Sequence, residues 1–273
     1  MLGKIGVFPI RNHYYEPMIA FNFARPLSQE RPLPGVSLNL EEQKKFLNVL
    51  RYSDGLVRFL NENPNAFDWN NLNFQSGDAE MWFNIVRHFK PKRLIEIGSG
   101  YSTILAIEAL KQNKQDDPTY QCHHRCIEPF EMKWLEQTPV DVVRKKVEEV
   151  DVSLFKELEE NDILFIDSSH MIRPQGDVLF EYLEVLSVLK KGVVVHIHDI
   201  FTPRDYPEKW VVDEVRFWNE QYLLEAFLTA NSEWKILAAV NYLKHNAFDE
   251  LKKVCPFLTA EREPGSFYIQ KVK

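Results

Sequence analysis

Two aspartates and two histidines in the middle of the chain are spaced for proton handling or cation binding: Asp167 and His170, then His198 and Asp199. Asp167 ends the apolar run Ile163-Leu164-Phe165-Ile166, and His198-Asp199 follows the run Val193-Val194-Val195-His196-Ile197. Such runs read as buried parallel strands, whose carboxyl ends face the crevice where α/β sheets bind ligands. Period-two alternation sets His196 and His198 on one face, with Asp199 on the other or in the turn. The four residues should therefore converge at one sheet edge. An unperturbed imidazole titrates near pH ~6.5, so His170 or His198 suits a general base. Asp167 can hold a metal, orient a histidine or sit near a cofactor amine, whereas His196 is expected only to hydrogen-bond within the sheet.

Upstream lies the element that would bring a ligand to this edge. Lys92-Arg93-Leu94-Ile95-Glu96-Ile97-Gly98-Ser99-Gly100-Tyr101-Ser102-Thr103 reads as a buried strand ending in an acid, then a glycine turn into a helix. A turn without Cβ atoms lets a ligand rest on backbone amides, as nucleotides do. The dinucleotide fingerprint lacks its third glycine, because Thr103 stands there. Glu128 closes the next strand, 28 residues beyond Gly100. A carboxylate there can accept both hydroxyls of a ribose, a device that NAD enzymes share. A third, weaker strand runs from Val142 to Asp151, and Asp151 can contact adenine or cap the helix opening at Ser153.

The Glu96-x-Gly98-x-Gly100 pattern resembles motif I of the class I S-adenosylmethionine-dependent methyltransferases, with Ser102 at the third small position. The resemblance implies that Glu96 lies near the methionine amino group, that Gly98, Ser99, Gly100 and Ser102 pass beneath the cofactor, and that Glu128, Asp151 and Asp167 complete its site. It is closest to the catechol- and caffeoyl-type O-methyltransferases, in a bacterial branch with His-x-His-Asp-Ile-Phe followed by Pro203, Asp205-Tyr206-Pro207 and Trp210. Along the chain it extends to the Asn12-His13-Tyr14-Tyr15-Glu16-Pro17 start. In those enzymes the strand-four Asp binds a divalent metal and a base follows three residues on. By resemblance Asp167, His198 and Asp199 are metal ligands, with His170, His198 and Asp167 catalytic. Asn219 could join only if the following helix folds back. Two carboxylates and an imidazole suit Mn²⁺, Fe²⁺ or Zn²⁺ better than Mg²⁺. Methyl transfer from a sulfonium needs an aligned acceptor and a place for its proton. The expected function is methylation of a small-molecule or glycan acceptor, at oxygen. An NAD(P)-linked oxidoreductase and a non-catalytic binding protein on the same scaffold are the alternatives.

The resemblance also implies the fold: an α/β, Rossmann-like, doubly wound seven-stranded mixed sheet with an antiparallel last strand, for which Phe267 to Lys271 fits. Residues 1–76 are expected to form an N-terminal helical cap and residues 77–273 the methyltransferase domain. Asn39 opens an expected helix from Leu40 to Asn61, and Gly77 opens another reaching Phe89. Further helices are expected over Val178 to Leu189 and Val212 to Leu228, the latter as lid, subunit contact or ordinary amphipathic helix. The loop Thr202 to Trp210 is expected to cover the acceptor. Phe8, Tyr14, Tyr15, Phe21 and Phe23 crowd the cap, the two tyrosines being better placed for a pocket.

The 273 residues carry a net charge of −7, which argues against nucleic acid as a partner. No apolar run reaches the ~18 residues that would read as a membrane span. The proline-broken start is no signal peptide, so a cytoplasmic enzyme is expected. Three cysteines without pattern fit a reducing compartment. Cys122, His124 and Cys126 share a strand face as zinc ligands would, but buried cysteines are the expectation. Homo-oligomerisation stays open.

Overall fold

Seven strands form one sheet in the order β3-β2-β1-β4-β5-β7-β6. They are β1 (Arg93–Ile97), β2 (His123–Ile127), β3 (Asp141–Val143), β4 (Ile163–Ile166), β5 (Val194–Ile197), β6 (Trp234–Ala239) and β7 (Phe267–Lys271). The first five are parallel, and β7 runs antiparallel between β5 and β6. The expected doubly wound mixed sheet is therefore present. The structure, a computed structural model, describes residues 7, 9, 10, 15, 23–130 and 132–273. Phe8, Tyr14, Phe21 and most of the Asn12–Pro17 start lie outside the described residues, while Tyr15 and Phe23 are exposed.

Alternation along the strands builds two apolar layers. Leu94, Phe165, Val194 and Tyr268 point to one face, where they pack with Trp82, Phe83 and Leu105. Ile95, Leu164, Val195 and Ile269 point to the other, against Phe155, Val185 and Leu224. The first layer is covered by α1 (Leu40–Leu47), α2 (Ser53–Glu62), α3 (Asp78–Phe89) and α4 (Tyr101–Asp116). On the second lie α5 (Asp177–Phe180), which continues through a π-helical turn (Glu181–Val185) into α6 (Leu186–Val188), and α7 (Glu220–Leu228). Two short helices, α8 (Val240–Asn246) and α9 (Phe248–Val254), return to the first layer. Within the cap, Leu47, Leu56, Leu60, Phe67 and Phe74 share a continuous core with Trp82.

Three expected elements are broken or shortened. The stretch from Leu40 to Asn61 is two helices: between them the Tyr52 N–H donates to Asn84 Oδ1 at 2.9 Å, and Ser53 Oγ donates to the Val254 carbonyl at 2.6 Å. These tertiary bonds replace the intrahelical ones a continuous helix would make. The third strand ends at Val143, where the Lys145 N–H turns back to the Val143 carbonyl. The helix expected from Val212 is confined to Glu220–Leu228. Val215 takes a left-handed φ of 52°, and the Arg216 guanidinium lies over the rings of Trp210 and Trp218 at 4.4 and 4.5 Å.

Candidate active site

The turn after β1 is shaped by its two glycines for different reasons. Gly98 has φ +85°, and a Cβ there would stand 2.3 Å from the Asp167 carbonyl oxygen. Its N–H donates to the Ile127 carbonyl at 3.0 Å, so the turn is wedged between β2 and β4. A Cβ on Gly100 would meet nothing within 4 Å, and this residue borders the cavity beside Ser99, Tyr101 and Ser102. The Gly100 N–H is satisfied by Thr103 Oγ1 at 3.1 Å, which starts α4.

Glu96 differs from expectation. Its carboxylate is fully buried under the turn and accepts from Ser102 Oγ at 2.8 Å and Thr103 Oγ1 at 3.3 Å on one oxygen. On the other it meets His124 Nε2 at 2.5 Å and Cys126 Sγ at 3.6 Å. With both oxygens committed inward, Glu96 braces the loop and does not reach the cavity. Glu128 stands where expected, at the carboxyl end of β2: Ser99 Oγ donates to it at 3.1 Å and the Phe130 N–H at 2.9 Å. Asp151 takes the capping alternative: its exposed carboxylate accepts the Ser153 N–H at 2.8 Å.

Asp167 and Asp199 follow neighbouring strands whose register pairs Ile166 with Ile197, so strand spacing alone brings the two ends together. His170 Nε2 lies 3.3 Å from Asp167 Oδ1 and 3.5 Å from Asp199 Oδ2. His198 Nδ1 lies 3.6 Å from an oxygen of each aspartate, and its Nε2 is 3.9 Å from Asp78 Oδ2. These contacts of His198 are ionic and too long for hydrogen bonds. The four expected residues thus converge. The tight group is nevertheless Asp167, His170 and Asp199, whose ligand atoms lie within 4.8 Å of one another; the expected ligand set had His198 in place of His170. Asn219 is no ligand, because its Oδ1 accepts the Ile172 N–H at 2.6 Å.

The charges balance by proximity. Burial works against a charged His170, but contacts with Asp167 and Glu220 and the charge of Asp199 outweigh it and raise its pKa to about 10. The surroundings of His170 thus favour its charged form more than water does for a free imidazole. Burial likewise opposes a charged His198, which the charges of Asp199 and Asp167 hold well above its ordinary value. Against the upward push of burial, His198 and His170 hold the Asp167 carboxyl below the usual range. His196 makes no hydrogen bond; it stacks on Tyr268 at 4.3 Å, and burial keeps it neutral.

A cavity of about 750 Å³ joins the glycine turn to this cluster, a size typical of small-ligand sites. Its far wall is aromatic: Phe201, Trp210 and Trp218, with Arg216 between the indoles. Of the cap, the described residues Leu72, Asn73 and Phe74 line the cavity; Tyr14, a candidate for pocket or packing, lies outside the described residues. Sequence reasoning also missed Glu220, fully buried with Oε2 2.8 Å from His170 Nδ1. Its position as first residue of α7, with an acid at a helix N-terminus, looks like an ordinary capping choice.

Cys122 stands apart from His124 and Cys126, which gather with Glu96. All three cysteines are free thiols, and the group that forms is Glu96, His124 and Cys126. Within that group His124 Nε2 and Glu96 Oε1 are hydrogen-bonded at 2.5 Å.

Residues 95–200, from within β1 to just past β5, match a family model described as a methyltransferase domain. The glycine turn, Glu128 and the aspartates after β4 and β5 all lie inside that segment, which is thus similar to a methyltransferase domain. A protein of Archaeoglobus fulgidus described only as uncharacterized is 29% identical over 179 residues, covering 59% of this chain and 77% of its own. Among solved structures, an O-methyltransferase from Bacillus cereus in complex with SAH is 12% identical, with a TM-score of 0.41 over 85% of this chain and 91% of that one. The plantazolicin methyltransferase BpumL, in complex with a pentazolic desmethylPZN analog and SAH, is 10% identical, with a TM-score of 0.40 over 86% of this chain and 98% of that one. No helix among the described residues is long and apolar enough to cross a membrane.

Proposed function

We propose that the enzyme methylates a hydroxyl of a small-molecule or glycan acceptor held in the aromatic half of the cavity. The observation that carries this reading is the Asp167–His170–Asp199 triangle, open to the same cavity as the glycine turn. S-adenosylmethionine lies along Gly98, Ser99, Gly100 and Ser102, with its ribose hydroxyls on Glu128 and its methionine end toward Asp167. The acceptor oxygen attacks the methyl carbon in line; the C–O bond forms as the C–S bond breaks, and the electron pair stays on sulfur. The acceptor proton passes to Asp199, while Asp167, His170 and His198 keep the charge around it balanced. Placement of the reactants supplies most of the acceleration.

Asp167, His170 and Asp199 fit a divalent cation, since two oxygens and one imidazole nitrogen point at a common space. That donor set favours Mn²⁺, Fe²⁺ or Zn²⁺ over Mg²⁺. When bound there, the ion would lower the pKa of the acceptor hydroxyl. Residues 1–76 act as the cap and residues 77–273 as the catalytic domain, in a cytoplasmic enzyme without nucleic-acid or membrane partners.

Calorimetry with S-adenosylmethionine and S-adenosylhomocysteine, on metal-free protein and then with Mn²⁺, tests the reading. Micromolar cofactor binding that survives Asp199→Asn, with loss of methyl transfer, is expected. Full turnover in Asp199→Asn would remove the proposed proton acceptor.

A further inference from the structure

We propose that Glu220 is a positioning residue: it holds the Nδ1–H of His170 and so commits Nε2 to a cation shared with Asp167 and Asp199. The inference rests on the reading that this triangle faces the reacting hydroxyl.

The grip on His170 comes from the first turn of α7. Glu220 Oε2 takes His170 Nδ1 at 2.8 Å, and Glu220 Oε1 accepts from Tyr182 Oη at 3.2 Å. The N–H groups of Asn219 and Glu220 both donate to the His170 carbonyl, at 3.0 and 3.2 Å. Asn219 Oδ1 fixes the chain two residues further on through the Ile172 N–H. His170 itself sits at φ 57°, a left-handed conformation uncommon for a side chain of this kind. Such a backbone persists where its surroundings over-determine it, and here α7 does so.

A buried carboxylate needs a partner, so the Glu220–His170 bond alone could be structural. The other ring edge argues otherwise. With Nδ1–H given to Glu220, a neutral ring would aim its Nε2 lone pair at two carboxylate oxygens, 3.3 and 3.5 Å away. That arrangement is repulsive unless a positive charge lies between them. A proton or a divalent ion fills that requirement, and in both cases Glu220 keeps Nδ1. A carboxylate behind a ligating histidine orients the ring and strengthens its binding in this way.

Nitrogen-resolved NMR on ¹⁵N-histidine-labelled, metal-free protein tests this, with His170→Asn identifying the signal. Wild type should show a protonated Nδ1 before and after Zn²⁺ is added, with Nε2 as the nitrogen that moves. Glu220→Ala should lose the Nδ1 preference and weaken Zn²⁺ binding about 10–100-fold. Glu220→Gln, which keeps an acceptor oxygen but not the charge, should fall between. S-adenosylhomocysteine affinity in each variant reports that the fold persists. A His170 signal indifferent to both substitutions, or an unprotonated Nδ1 in wild type, overturns the proposal. If wild type takes up no Zn²⁺ while the Nδ1 signal still follows residue 220, the divalent-ion reading falls and Glu220 keeps its role toward the proton.

Discussion

The carbonyl oxygen of Asp167 lies 2.3 Å from the place a Cβ would occupy on Gly98, so the glycine turn and the end of β4 touch through their backbones. Gly98→Ala should therefore damage both sites at once. Its positive φ adds strain of order 1–3 kcal/mol, visible as a lower melting temperature, and cofactor binding should be lost. Gly100→Ala should behave differently. Its extended backbone accepts a side chain and its surroundings are open, so stability should move by no more than about 0.5 kcal/mol while cofactor affinity falls. Thermal melts paired with calorimetry separate the two.

The acidic residues should also separate. Glu128→Gln removes a charged acceptor from the expected ribose position and should weaken S-adenosylhomocysteine by about 1.5–3 kcal/mol, with little change in melting temperature. Asp151→Ala should leave affinity unchanged and slightly lower the melting temperature, as loss of a capping residue does. Reduced cofactor affinity in Asp151→Ala would restore the adenine contact.

Glu80 should make stability fall as pH rises. Burial pushes its carboxyl up to about 7, against the N–H donors of Gly77 and Phe257. The folded state thus holds a proton that the unfolded chain releases near pH ~4.5. Its stabilising contribution is complete below that value and is lost as pH rises to about 7, amounting to ~3 kcal/mol. Denaturant melts from pH 4.5 to 8 should show the decline, and Glu80→Gln should flatten it. An identical slope in the variant would assign it elsewhere.

Trp210→Ala should act on the acceptor alone. The indole packs against Phe201 and Trp218 at 5.2 and 5.1 Å, away from the glycine turn. Loss of such a ring contact should raise acceptor KM about tenfold, with S-adenosylhomocysteine affinity intact.

Local signals carried the frame of the molecule well. The runs around Glu96, Asp167 and Asp199 showed the strands, and Glu128 stands at the carboxyl end of β2 where the spacing put it. Chemistry that depends on side-chain direction was less legible. Glu96 has the right type and place, yet Ser102, Thr103 and His124 draw its oxygens inward. Glu220 is separated from His170 by 50 residues, and no periodicity links them. Arg216 and Trp218 read as part of a helix because propensity says nothing about a guanidinium settling between the indoles of Trp210 and Trp218.

Asp167 and Asp199 stand on adjoining strands, whereas Phe201, Trp210, Arg216 and Trp218 belong to a single connection between β5 and α7. On the proposed reading, the carboxylates that handle the proton are anchored to the sheet, and the surface that meets the acceptor is carried on one strap. Grafting residues 201–218 from a related enzyme should transfer its substrate choice while the centre keeps its shape, so new specificities can arise by segment exchange without rebuilding the chemistry.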